Sequence, residues 1–203
     1  MTKLFDDEGK HALTEAIKDI EARSSIEVVI AVRRSADAYR AFDLGIGIAC
    51  ATGALAFMLF SQFAFDTTAL LLDPLVAGIA FTLFSAYAPW IKHFFIPVRM
   101  RRASVHRAAL AAFLERGVHR TRGRTGVLVF LSLLEGMAEI VVDTGVEPHL
   151  DETERKALGA ALERALPAKG IAVAKALRML GDMVADRLPG LPDDVNELPD
   201  EVH

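Results

Sequence analysis

Two uncharged apolar runs, residues 44–65 and 74–91, lie in the first half of the chain with polar sequence on both sides. They restrict the fold more than any other feature. The first, LGIGIACATGALAFMLFSQFAF, has 22 residues; as a helix rising about 1.5 Å per residue it reaches roughly 33 Å, against a bilayer core of about 30 Å. The second, PLVAGIAFTLFSAYAPWI, has 18 residues and reaches roughly 27 Å, enough if Tyr87 and Trp90 sit among headgroups and Lys92 extends its charged end to water. Both are expected to cross a membrane, as a hairpin within residues 41–97. Asp73-Pro74 reads as the start of the second helix, since Asp accepts from first-turn amides and proline is tolerated there. A buried hairpin in a soluble protein is the competing reading; the 52% hydrophobic composition and the length of both runs weigh against it. Gly45, Ala49 and Gly53, spaced by four, put small residues on one face of the first span. That face is expected to pack on the second span, with homodimerisation through it as the rival.

Arg33, Arg34 and Arg40 precede the first span and Lys92, Arg99, Arg101 and Arg102 follow the second, whereas the connector 62–73 carries Asp66 and Asp73 and no Lys or Arg. The positive-inside rule then places both termini in the cytoplasm. Residues 1–20 have no apolar core of a signal peptide. The single cysteine, Cys50, lies within the first span, so no intramolecular disulfide forms.

Outside the hairpin, residues 6–23 space Leu13, Ala16, Ile17 and Ile20 as one face of an amphipathic helix, with Asp6, Asp7 and Glu8 at its positive end. Residues 25–32 (SIEVVIAV) read as a strand buried on both faces and central in its sheet. After the hairpin, Val105, Ala109, Ala112 and Phe113 line a helix that stops near Gly117. VLVFLSL (127–133) and MAEIVVD (137–143), joined through Leu134-Glu135-Gly136, read as a β-hairpin. Helices follow at 151–166, stopped by Pro167, and at 171–188, closed by Pro189-Gly190. The expected fold is α/β of the α+β sandwich kind: a small mixed sheet flanked by helices, with an inserted transmembrane hairpin. Residues 1–40 and 98–190 form one discontinuous cytoplasmic domain, and residues 191–203 an extended tail.

The run HRTRGRTGVLVFLSLLEGMAEIVVDTGVEPHLD (119–151), the upstream SSIEVVIAV and the ending NELPDEV (196–202) together resemble the TPM-domain family, in its bacterial membrane-embedded branch with a two-span insert. The shared pattern is Thr-Gly before an apolar strand, a tight hairpin, and the acidic turn Asp143-Thr144-Gly145-Val146-Glu147. The resemblance covers nearly the whole chain. It implies a multi-pass protein of the bacterial inner (cytoplasmic) membrane. Members of the family include proteins of photosystem II repair, an auxiliary protein of acetylcholine-receptor channels, and a plant acid phosphatase. That spread implies a binding module attending membrane complexes rather than one shared reaction.

Two groups of residues carry candidate chemistry. Asp143, Glu147 and Asp151 recur around the loop after the last strand, and gathered carboxylates would bind Ca²⁺ or Mg²⁺; some family members hold metal near this turn, although here Pro148-His149 replace a glycine-rich loop. The plain alternative has Asp143 ending a strand, Asp151 capping a helix and Glu147 solvated. The second group is basic: residues 92–124 hold nine Lys or Arg and one acid, Glu115, a net +8. Beside the cytoplasmic leaflet this attracts anionic lipid headgroups. A sharper version has Arg120, Arg122, Arg124 and Thr125, with Thr121, grip one anionic group such as a phosphate. His106, His119 and His149 show no ligand spacing.

There is no Walker glycine-lysine motif, Gly-x-Ser-x-Gly, CxxC or HExxH. At an overall charge of −4, nucleic acid is not an expected partner. The reading is a non-enzymatic, membrane-anchored module that helps assemble or maintain another membrane protein. The alternative is a divalent-metal-dependent acid phosphatase using Asp143, Glu147 and Asp151 around the cation.

Overall fold

The computed structural model describes residues 6–36, 39–88, 92, 95–168 and 170–190. The chain divides into two compact units, residues 38–98 and the remainder.

The larger unit is a three-stranded sheet between helices. Strands β1 (Glu27–Arg33), β2 (Gly126–Ser132) and β3 (Met137–Val142) lie in the order β1-β2-β3. β1 runs parallel to β2 with Val29 opposite Leu128, and β2 runs antiparallel to β3 with Val129 opposite Ile140. The central strand is therefore β2, and β1 is an edge. Its unbroken apolar run reflects cover on both faces. Val28 and Ile30 pack with α1 (Asp7–Arg23), α5 (Glu152–Ala165) and α6 (Gly170–Val184), whereas Val29 and Ala31 pack with α4 (Val98–Glu115). Alternate residues of each strand thus feed two cores, one per face. On the outer edge of β1, Glu21 Oε1 accepts from Val28 N–H at 3.0 Å, and ahead of the strand Ser24 makes an antiparallel bridge to Pro189.

Helix starts follow local chemistry. Asp6 caps α1 by accepting from Gly9 N–H at 2.9 Å, and Leu13, Ala16, Ile17 and Ile20 form the buried face that their spacing predicts. Gly136 closes the β2–β3 turn at φ 63°, which glycine adopts without side-chain strain. In the same turn Glu135 is buried; it accepts from the Ser132 hydroxyl, from Ser35 Oγ at 3.1 Å and from Ala36 N–H at 3.2 Å. The carboxylate fixes the segment that leaves β1.

The smaller unit is an antiparallel pair, α2 (Arg40–Phe60) and α3 (Thr67–Tyr87). Both are long and apolar enough to span a membrane. Only 17% and 11% of their most apolar windows are buried, unlike core helices of a soluble domain. α3 begins seven residues before the expected Asp73-Pro74: Asp66 is the cap, accepting from Ala69 N–H at 2.8 Å, and Pro74 lies inside the helix. The seam also differs from expectation. Gly45 and Gly53 face open space, while Gly47 and Gly78 meet: a Cβ on Gly47 would come 2.6 Å from Gly78 O, and one on Gly78 would come 3.0 Å from Ala51 Cβ. The contact line is displaced by two residues, about 200° around the helix. Residues 191–203, including the NELPDEV ending, and Trp90 lie outside the described residues.

Candidate functional site

The turn after β3 brings Asp143 beside Arg124. Asp143 N–H completes the β ladder by donating to Gly126 O at 2.9 Å. The Asp143 residue is 6% exposed, and its Oδ1 accepts from Thr144 N–H at 2.7 Å and Thr144 Oγ1 at 3.3 Å. Oδ2 is shut off from solvent and has no hydrogen-bond donor; Arg124 Nη1 stands 3.7 Å away. Arg124 is held in the left-handed region at φ 55°. Its N–H donates to Thr121 O, its carbonyl accepts from Gly145 N–H, and Nη1 donates to His119 O at 2.7 Å. Thr121 is buried and its hydroxyl accepts from Thr125 N–H at 3.0 Å. The two loops fit without spare room: a Cβ on Gly145 would stand 2.5 Å from Gly123 O and 2.7 Å from Arg124 O.

The expected metal ligands do not converge. Asp151 Oδ1 accepts from Glu154 N–H at 2.7 Å while Glu154 Oε2 accepts from Asp151 N–H at 3.0 Å, a reciprocal cap that opens α5. Glu147 is exposed, and Asp143 is engaged by Thr144 and Arg124. Among the described residues, no three His, Cys, Asp or Glu side chains are placed to hold a metal ion. The residues Asp143, Glu147 and Asp151 are thus not brought together as a Ca²⁺ or Mg²⁺ set: Asp143 is engaged by its turn, Asp151 by its helix cap, and Glu147 is exposed. The basic group is likewise divided. Arg124 is committed to His119 and Asp143, Thr125 is half-buried, and Arg120 and Arg122 are exposed.

Close by, Arg187 grips Glu154 with two bonds of 2.9 and 2.8 Å and donates to His149 O at 2.7 Å. The Arg187 bond, reinforced by Asp151 N–H, holds the Glu154 carboxyl below its ordinary range, and the same carboxylate raises the Arg187 guanidinium.

A second feature has no counterpart in the sequence reading. A groove of about 650 Å³ runs along the free edge of β3, walled by α4 (Arg102, His106, Leu110) and by α5 (Arg155, Gly159, Ala160). One end is closed by Arg102, which pairs with Glu163 at 3.1 Å while Glu163 Oε1 accepts from the Ala138 N–H at 3.4 Å. His106 Nδ1 meets Glu139 Oε1 at 2.9 Å across the α4 wall. These residues come from three elements, so no spacing in the sequence joins them. The one local signal is Gly159 in mid-helix, where a glycine is costly unless something approaches closely.

No family model matches the chain, and no curated protein matches it. Among solved structures it is similar to the NMR structure of the BA42 protein from the psychrophilic bacterium Bizionia argentinensis, with a TM-score of 0.59 over 100% of this chain and 96% of that one, at 14% identity. At that identity the likeness is one of fold.

Proposed function

We propose that this chain is a membrane-anchored TPM-domain protein acting as a non-enzymatic interaction module. In this reading it helps assemble or maintain another protein of the bacterial inner membrane. The observation that carries it is the hairpin: α2 and α3 seal against each other through Gly47 and Gly78, yet leave Leu44, Ile48, Phe57, Leu71, Leu75 and Ile79 exposed on their outer faces. Such surface calls for lipid or another membrane protein. The basic residues on both flanks of the hairpin, against none in its connector, support cytoplasmic termini. Exposed Arg99, Arg120 and Arg122 suit anionic headgroups.

A phosphomonoester assay on the detergent-purified full chain, with Mg²⁺ or Ca²⁺ and with chelator, is expected to be flat. Hydrolysis that disappears in Asp143→Asn would replace the module by an enzyme. Orientation is tested in a Cys50→Ala background. A cysteine at Thr67 should react with an impermeant maleimide in intact cells and one at Lys175 should not; the reverse pattern inverts the topology.

A further inference from the structure

The geometry points to the β3 groove as a docking site for an extended segment of another polypeptide, added as a fourth strand with a carboxylate set against Arg155. This rests on the reading of the chain as an interaction module and names the surface such a module would use.

The backbone comes first. In the β2–β3 ladder Asp143 N–H points to Gly126 O, so Val141 and Glu139 also face β2, while Ala138, Ile140 and Val142 turn their N–H and C=O groups outward. Glu163 satisfies the Ala138 N–H at 3.4 Å. Among the described residues, no hydrogen bond is made by the outward N–H of Ile140 or Val142. An edge with unused donors and acceptors is a template for another strand. On the opposite edge Glu21 takes the outward Val28 N–H of β1 in the same way; it is the groove between α4 and α5 that sets the β3 edge apart.

The walls select the occupant. Gly159 and Ala160 present little side chain on α5; a Cβ on Gly159 would lie in ordinary contact, 3.5 Å, with Ala138 O, so α5 closes on β3 there and the open part of the edge is that of Ile140 and Val142. Leu110, 42% exposed on α4, offers an apolar contact to side chains pointing the other way. Two of the groove's ion pairs are Arg102 with Glu163 and Lys156 with Glu152, and His106 Nδ1 lies 2.9 Å from Glu139 Oε1. Among the described residues, Arg155 makes no direct ion pair, although after Lys156 it helps hold the Glu152 carboxyl below its ordinary range, and its Nε is sheltered from solvent without an acceptor. A planar guanidinium in that position complements a carboxylate. The fitting ligand is therefore a short β-branched segment with one Asp or Glu, spaced at about 3.3 Å per residue along Ile140–Val142.

The test uses the full chain in detergent and an array of fluorescein-labelled hexapeptides of alternating Val and Thr, with Asp or Asn scanned through each position, read by anisotropy. The expected result is micromolar binding with a preference for Asp over Asn at one position. Val142→Pro removes one outward N–H and no ladder bond, and should weaken binding at least tenfold. Ala160→Trp fills the groove from the exposed side of α5 and should do the same. Arg155→Gln should keep binding and lose the Asp preference. Thermal unfolding of each variant shows that the fold persists. Binding that survives Val142→Pro, or no binding by any peptide at about 1 mM, overturns the proposal. A concentration-dependent dimer abolished by Val142→Pro would assign the edge to a second copy of this chain and likewise overturn it. Phosphomonoester hydrolysis alongside groove binding would instead retire the module reading and keep the groove.

Discussion

Ser85 Oγ donates to Asp43 Oδ1 at 2.6 Å, joining two apolar helices through a hydrogen bond that is buried at both ends. The second oxygen of Asp43 pairs with Lys92 Nζ at 3.2 Å, and Lys92 is also buried, its ammonium 5.9 Å from the centre of the Tyr39 ring. Asp43→Ala leaves a buried cation without its counter-charge, an expected loss of about 3–5 kcal/mol. Ser85→Ala removes one bond to a charged group, about 1–3 kcal/mol. Asp43→Leu combined with Lys92→Met should recover most of the loss, because an apolar pair has no charge to strand. Unfolding in mixed micelles ranks the variants. An Asp43→Ala protein as stable as its parent would remove this cluster from the support of the hairpin.

The seam makes a sharper distinction between neighbouring positions. Gly47→Leu must push apart two backbones that approach within contact distance at Gly78, and its expected cost is several kcal/mol, the upper end of overpacking. Ala49→Leu faces outward and should leave the unfolding midpoint of the hairpin nearly unchanged. Parallel midpoints for the two variants would contradict the seam.

What could be read from the chain divides at that seam. The buried face of α1, the β2–β3 hairpin and the two apolar runs were all legible, since each is a local periodicity or a length. The choice of Gly47 over Gly45 was not, because several small residues stand on different faces of α2 and only the partner's surface selects one. The start of α3 was hidden for a related reason: Asp66 and Asp73 are both good caps, and proline, read as a first-turn residue, is accommodated inside an apolar helix. β1 read as central because hydrophobic runs report cover on the faces and say nothing of hydrogen-bonding neighbours. At the candidate site, type and place of Asp143, Arg124 and Asp151 were legible, but not their partners. Asp143 spends Oδ1 on a turn and sets Oδ2 beside Arg124, and the groove is assembled from α4, β3 and α5.

Arg124 offers a test of backbone strain. Its φ of 55° costs a residue with a Cβ about 1–2 kcal/mol. Arg124→Ala keeps that strain while losing the contacts to His119 O and Asp143, leaving the buried Oδ2 without a nearby cation. Arg124→Gly loses the same contacts and relieves the strain. The glycine variant should therefore be the more stable of the two by about 1 kcal/mol in chemical denaturation, with both below the parent. An alanine variant equal to or above the glycine variant would mean that the loop relaxes out of the left-handed region.

Acid acts on the pair that ties Arg187 to the start of α5. The Glu154 carboxyl is held below its ordinary range, first by the Arg187 hydrogen bonds and then by the Asp151 N–H. In the unfolded chain it returns to about 4.3. A depressed folded-state value means that the unfolded state binds the proton more readily, so the stabilisation is fully present above the unfolded value. It is lost as pH falls through the lower folded value. The parent should exceed Arg187→Gln in unfolding temperature by a constant margin from about pH 8 to pH 5, and that margin should shrink below about pH 4. A residual, pH-independent difference is expected from the lost bond between Arg187 and His149 O. Glu154→Gln separates the two contributions, since it keeps the His149 contact and removes the titrating group. A margin that stays constant down to pH 2.5, or that grows as pH falls, would show that the Glu154–Arg187 pair does not set the acid limit of this helix.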